Sequence, residues 1–213
     1  MKRWILLIVL FGNLWIWRIF SFNFLLGVLI LFTSLALYKN YKISFVFLIA
    51  LLLFFQFKTT EISSLTLLSN DDIRVKDMRL KEYPYSLTRV GWWLEGRKET
   101  IAFFRILKNF SEVIDPNLYF FANHPRERVG YVEFEKFPYI FLPFFIWGLF
   151  SSVKKLSKNY LVTFLPFVLP IILISFTGLK NSLGPFSLFP WIVTITAIGI
   201  GETYKRIYKY AKN

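Results

Sequence analysis

The single histidine of the chain, His124, lies in the segment Ala-Asn-His-Pro-Arg-Glu-Arg-Val-Gly at residues 122–130, with Arg126 and Arg128 just beyond it. A pair of guanidinium groups two residues apart could hold a phosphate or pyrophosphate, because the planar fork of N–H donors matches that anion. A neighbouring imidazole could add one hydrogen bond. The alternative is a solvated loop in which Arg126 and Glu127 pair weakly with neighbours and His124-Pro125 makes a turn. Two carboxylate pairs also come into question: Asp71 with Asp72, and Glu133 with Glu135. A transfer reaction needs one carboxylate placed as a base beside an acceptor hydroxyl. Asp71 and Asp72 equally suit the positive end of a helix dipole, and Glu133 and Glu135 suit a solvated face. Spacing singles out none of them, so no catalytic residue is assigned. With no cysteine and one histidine, a zinc site would need mainly carboxylates. No metal site and no cofactor are expected.

The elements that must position these residues are apolar blocks. Hydrophobic residues make up 55% of the 213, and they cluster in runs separated by charges. That arrangement predicts an all-α, polytopic membrane bundle of about six spans, each helix needing roughly 20 apolar residues or somewhat fewer. The spans are expected at 4–20, 22–38, 43–57, 137–153, 160–176 and 186–201. Residues 1–57 then hold three N-terminal spans, 58–136 an amphipathic extracytoplasmic helical region, and 137–213 three C-terminal spans and a basic tail. The start, Met-Lys-Arg-Trp-Ile-Leu-Leu, looks like a signal peptide but lacks a small-x-small cleavage site, so it reads as an uncleaved first span.

Lys and Arg gather on one side of this topology: Lys2, Arg3, Lys39, Lys42, Lys154, Lys155, Lys158 and the tail. The other side's short turns carry Arg18 and Lys180. The asymmetry places both termini in the cytoplasm of a plasma-membrane protein and residues 58–136 outside. The same rule accounts for a net charge of +13 without nucleic acid. The tail Tyr-Lys-Arg-Ile-Tyr-Lys-Tyr reads as an anchor to anionic headgroups.

Within the outer region, a short helix is expected between cap residues Ser69-Asn70 and Pro84. A second is expected in Arg-Lys-Glu-Thr-Ile-Ala-Phe-Phe-Arg, ended by Asp115-Pro116. It places Phe103, Leu107, Phe110 and Ile114 on one face and Arg105, Lys108 and Glu112 towards the other. Trp92 and Trp93 suit a membrane interface. These helices are expected to lie on the outer membrane face or to cap the bundle. Residues 131–137 alternate as a strand would, but a lone strand has no partner. Pro143, Pro166 and Pro170 are expected inside spans, where they kink helices.

From residue 113 onward a sequence of motifs follows: Tyr119-Phe120-Phe121, the basic Arg126 and Arg128, Gly130, Glu135 with Pro138, Gly148-Leu149, Thr177-Gly178, and a proline-rich entry from Pro185 to Pro190. This order resembles the C-terminal part of polyprenyl-phosphate-sugar-dependent glycosyltransferases of the GT-C superfamily, of the dolichyl-phosphate-mannose mannosyltransferase type. It covers roughly the last hundred residues. The resemblance implies outer helices followed by terminal spans, and a basic loop facing a lipid-linked sugar. Enzymes of that family carry an acidic residue in the first outer loop and have more spans. The corresponding turn here offers Arg18, Ser21 and Asn23 and no carboxylate. The expected function is therefore a non-catalytic accessory or structural membrane protein in envelope glycan or lipid-linked sugar metabolism. Its expected partners are the bilayer, a polyprenyl-phosphate lipid and a membrane subunit. The alternatives are a glycosyltransferase completed by a partner chain, and a small transporter. Intramembrane charges commonly mark transport pathways, and Arg18 is the one charge deep within a span.

Overall fold

The computed structural model describes residues 3–39, 42–62, 65–67, 70–121, 134–154 and 160–212. Among these the regular elements are all helical. Helices α1 (Arg3–Phe11), α2 (Leu14–Phe22), α3 (Phe24–Lys39) and α4 (Lys42–Thr59) come first. The middle region holds α5 (Asn70–Glu82), α6 (Thr88–Gly91), a π turn (Trp92–Gly96), α7 (Lys98–Ile114) and α8 (Asn117–Phe120). The last part holds α9 (Leu142–Lys154), α10 (Tyr160–Thr177) and α11 (Phe189–Lys212).

The run expected as the first span is broken into α1 and α2, which meet at 68°. Asn13 is the cause. Its buried side-chain amide donates to the carbonyls of Val9 and Leu10, at 2.7 Å each, which ends α1. Its side-chain oxygen accepts from the Ile16 N–H at 2.9 Å, which starts α2. One polar residue thus satisfies orphaned groups on both sides of the bend. Asn23 repeats the device one helix later, accepting from the Leu26 N–H at 3.1 Å to open α3.

One helical stretch, Phe186–Lys209, is long and apolar enough to cross a bilayer by length and composition. The bent pair α1 and α2 passes the same test only together, and four other apolar helices fall short of it. The tail expected after residue 201 is the continuation of α11. Its Arg206 guanidinium lies 4.3 Å from the centre of the Trp147 ring on α9.

The core is organised around α11, which packs on α9, α3 and α1. Ile192, Val193, Ile195 and Ala197 are buried there. Against α9 the backbones approach so closely that a Cβ on Gly199 would sit 1.8 Å from the Phe144 carbonyl oxygen, and one on Gly148 would sit 2.0 Å from that of Ile195. Only glycine permits this crossing, the small-residue packing that lets helices meet without a hydrophobic driving force between them. The buried hydroxyls of Thr33, Ser34 and Thr196 are satisfied, because each donates back to the carbonyl four residues earlier.

Two helices of the middle region follow the sequence signals closely. α5 starts at Asn70 and stops two residues before Pro84, and α7 ends at the Asp115-Pro116 step. Pro166 and Pro170 do lie inside α10. Pro143 does not lie in a helix interior: it falls in the first turn of α9, where its missing N–H has no partner to lose. Residues 134–137, the described part of the alternating segment, form no strand.

Candidate functional site

Two loops, carrying Lys136 and Leu183, and the short helix α8 converge at one end of the bundle, and Trp15 on α2 is the residue they share. It is 0% exposed. Its backbone N–H donates to the Lys136 carbonyl at 3.3 Å, and its indole N–H donates to the Leu183 carbonyl at 2.8 Å. Its ring packs against Tyr119, Phe137 and Phe189, edge-on to the last two. The Asn13 bend therefore has a positional consequence. It turns the start of α2 inward, so that Trp15 can reach both loops.

The Phe137 N–H donates to the Tyr119 carbonyl at 2.8 Å, which clamps residues 119 and 137 together. The Tyr119 hydroxyl donates to the Val113 carbonyl at 2.6 Å, tying the clamp to the end of α7. The chain between 121 and 134 thus departs from and returns to one fixed point beside Trp15. Residues 178–188 are held by α4. The Gln56 amide donates to the Gly184 carbonyl at 3.2 Å, and its oxygen accepts from the Ser187 N–H at 3.2 Å. Asn181 donates to the Thr59 hydroxyl at 2.7 Å, and Glu61 N–H donates to the Lys180 carbonyl at 3.0 Å. Gly178 and Gly184 turn this loop at φ 86° and 70°, a region open to glycine and strained for other residues.

Two cations meet on Phe134, the first described residue after position 121. The Arg18 guanidinium of α2 lies 3.9 Å from the ring centre, and the Lys136 ammonium lies 5.0 Å from it. Lys136 is 1% exposed, and its ammonium also stands 5.9 Å from the Trp15 ring. Burying an ammonium is costly, and aromatic faces offset part of that cost, by about 2 kcal/mol or more when desolvated. Arg18 is exposed, with its guanidinium carbon over the same Phe134 ring.

His124, Arg126, Arg128 and Glu133 lie outside the described residues. Asp71 and Asp72 fall in the first turn of α5. Glu135 is engaged: it accepts the Tyr139 N–H at 2.9 Å and so caps the turn that leads into α9. Arg18 and Lys136 are the functional candidates that spacing did not bring together. The signal for Lys136 was its position between Phe134 and Phe137, but a lysine at the edge of an apolar run ordinarily snorkels to water. Among the described residues, no group of three histidine, aspartate or glutamate side chains is arranged around a metal position.

A separate shallow cavity of about 360 Å³ lies in the outer region, lined by Arg79, Glu82, Tyr83, Pro84 and Glu95. The Tyr83 hydroxyl donates to the Glu95 carboxylate at 3.1 Å. That hydrogen bond, together with partial burial and the Glu95 charge, holds the phenol above the ordinary tyrosine value of 10.0, and Arg79 opposes the shift.

Comparison with protein-family models, with curated proteins and with solved structures returns no match. The class the structure defines is an all-α helical bundle containing a helix able to cross a membrane.

Proposed function

We propose that the chain is a six-span plasma-membrane protein with both termini in the cytoplasm. We propose further that its outer end binds the phosphate of a polyprenyl-phosphate lipid without catalysing a reaction on it. Its role is that of an accessory subunit in envelope glycan or lipid-linked sugar metabolism, as the resemblance of its last hundred residues to the GT-C superfamily suggests.

The membrane reading is supported by the side chains the helices turn outward. Trp4, Leu7 and Ile8 on α1, Phe24, Leu25 and Phe32 on α3, and Phe47 and Phe54 on α4 are exposed. So are Ile146, Phe150 and Val153 on α9 and Val168, Ile172 and Phe176 on α10. A soluble monomer does not surround an apolar core with an apolar belt. Helices shorter than a full span are accommodated by local bilayer thinning and by flanking lysines.

The observation that carries the binding role is the meeting of Arg18 and Lys136 on Phe134, at the point where the segment bearing Arg126 and Arg128 departs and returns. Arg18 and Lys136, gathered on one ring, suit an anionic headgroup. Catalysis is left to a partner subunit, because Glu135, the carboxylate beside Lys136, is committed to capping.

The test is thermal stabilisation of the purified protein in detergent by a polyprenyl phosphate, with the uncharged polyprenol as control. The phosphate should raise the melting temperature and the alcohol should not. The combined Arg126→Gln and Arg128→Gln changes should remove the difference. Equal responses to phosphate and alcohol would overturn the proposal.

A further inference from the structure

The middle helix α7 carries three faces. One packs on α10, where the Asn109 amide donates to the Ser175 carbonyl at 3.0 Å. A second bears Lys108 and Glu112, which pair at 3.8 Å across one turn in contact with water. The third bears Phe103, Leu107, Phe110 and Ile114. These recur at the three- and four-residue spacing of one helix face, and all are exposed. Among the described residues, nothing covers this third face.

We infer that this third face is seated in the outer leaflet of the lipid bilayer, making α7 an in-plane anchor that holds the outer region down on the membrane. The inference rests on the membrane reading above and goes beyond it, since a bundle could equally raise its outer region into water. Three observations select lipid as the occupant. The face is uniformly apolar and half aromatic, with no charge interrupting it. The helix it packs on exposes a stripe of its own, Val168, Ile172 and Phe176, so apolar surface continues from α7 to α10. The flanks carry the aromatic and basic residues that favour the headgroup layer. Trp92 and Trp93 are exposed in the turn before α7, Arg97 stacks over Trp93 at 5.7 Å, and Lys98 and Lys108 are exposed. The polar face of Lys108 and Glu112 then lies uppermost, away from the acyl chains.

The chain has no native cysteine, so single nitroxide labels need no background removal. Leu107→Cys, Lys108→Cys and Ile172→Cys would be labelled in full-length protein reconstituted into vesicles of phosphatidylcholine and phosphatidylglycerol. Accessibility to oxygen and to a water-soluble nickel chelate would then be read for each. The inference expects the label at 107 to lose nickel broadening and keep oxygen broadening, and the label at 108, one residue away, to show the reverse. A label at 107 open to nickel overturns it in favour of a raised outer region. A label at 107 immobilised and shielded from both reagents overturns it in favour of a protein partner, and spin–spin broadening would identify that partner as a second copy. The label at 172 separates the two levels of the argument. If 172 is lipid-exposed and 107 is not, only the α7 inference fails. If 172 is open to nickel, the membrane reading fails as well.

Discussion

The middle of α11 and the loop before it are secured in opposite ways. Towards its middle, α11 meets α9 backbone to backbone at Gly148 and Gly199. Before its first turn, the loop at 178–188 is held by side chains that reach across the bundle: Gln56, Trp15 and Asn181. The first contact depends on volume alone and has no second arrangement available. The second depends on hydrogen bonds to non-helical backbone, and such bonds are what allow irregular chain to exist at the end of an apolar bundle. Irregular backbone is also where charged side chains can be gathered, and Arg18 and Lys136 are gathered there. The division teaches where to look for function in a bundle of this kind: at the pinned end, not along the close-packed crossing.

Substitutions at the two places should separate these mechanisms. The largest effect is expected at the crossing. Gly199→Val places atoms where the Phe144 carbonyl stands, and the helices must part. The cost should reach the upper end of the roughly 1–3 kcal/mol typical of overpacked cores, or exceed it, read as a lowered melting temperature in detergent. A variant with wild-type stability would show that the crossing has slack. Gln56→Leu should cost less, on the order of 1–2 kcal/mol, because it strands the Ser187 N–H and removes one of the two bonds to the Gly184 carbonyl. It should also reduce stabilisation by a polyprenyl phosphate, whereas a Gly199 variant that still folds should keep it.

The smallest effect is expected far from both places, at Tyr83. Its phenol is raised above 10.0 by the bond to Glu95, so folding favours the protonated form. That contribution is complete below pH 10 and is lost as pH climbs through the raised value. Ultraviolet titration of tyrosinate should therefore show a late-ionising component in the wild type to which Tyr83 contributes, and Tyr83→Phe should reduce that component. An unchanged titration curve would exclude the Tyr83–Glu95 bond.

The sequence revealed local elements far better than it revealed how they meet. The boundaries of α5 and α7 were readable because Asn70, Pro84 and Asp115-Pro116 act on the backbone within a few residues of themselves. The break at Asn13 was not, because a single asparagine in an apolar run interrupts hydropathy only slightly. What makes it a break is that its amide is shared between the carbonyls behind and the N–H ahead. The hub was hidden for a different reason. Trp15, Tyr119, Lys136 and Leu183 are brought together only by the packing of distant segments, and no periodicity relates them. Arg18 was visible as a charge within a span, but its position over Phe134 was not. The basic pair Arg126 and Arg128 was legible as chemistry, and the described residues fix the point from which that segment extends.

The account depends most on the membrane topology, and one measurement addresses it directly. Ser111→Cys and Ser157→Cys would be expressed singly in intact cells and treated with a membrane-impermeant maleimide before and after permeabilisation. Labelling at 111 in intact cells, with labelling at 157 only after permeabilisation, is the predicted result. Labelling at 157 but not at 111 in intact cells would invert the orientation and contradict the account, and labelling of neither site before permeabilisation would place the outer region inside the cell.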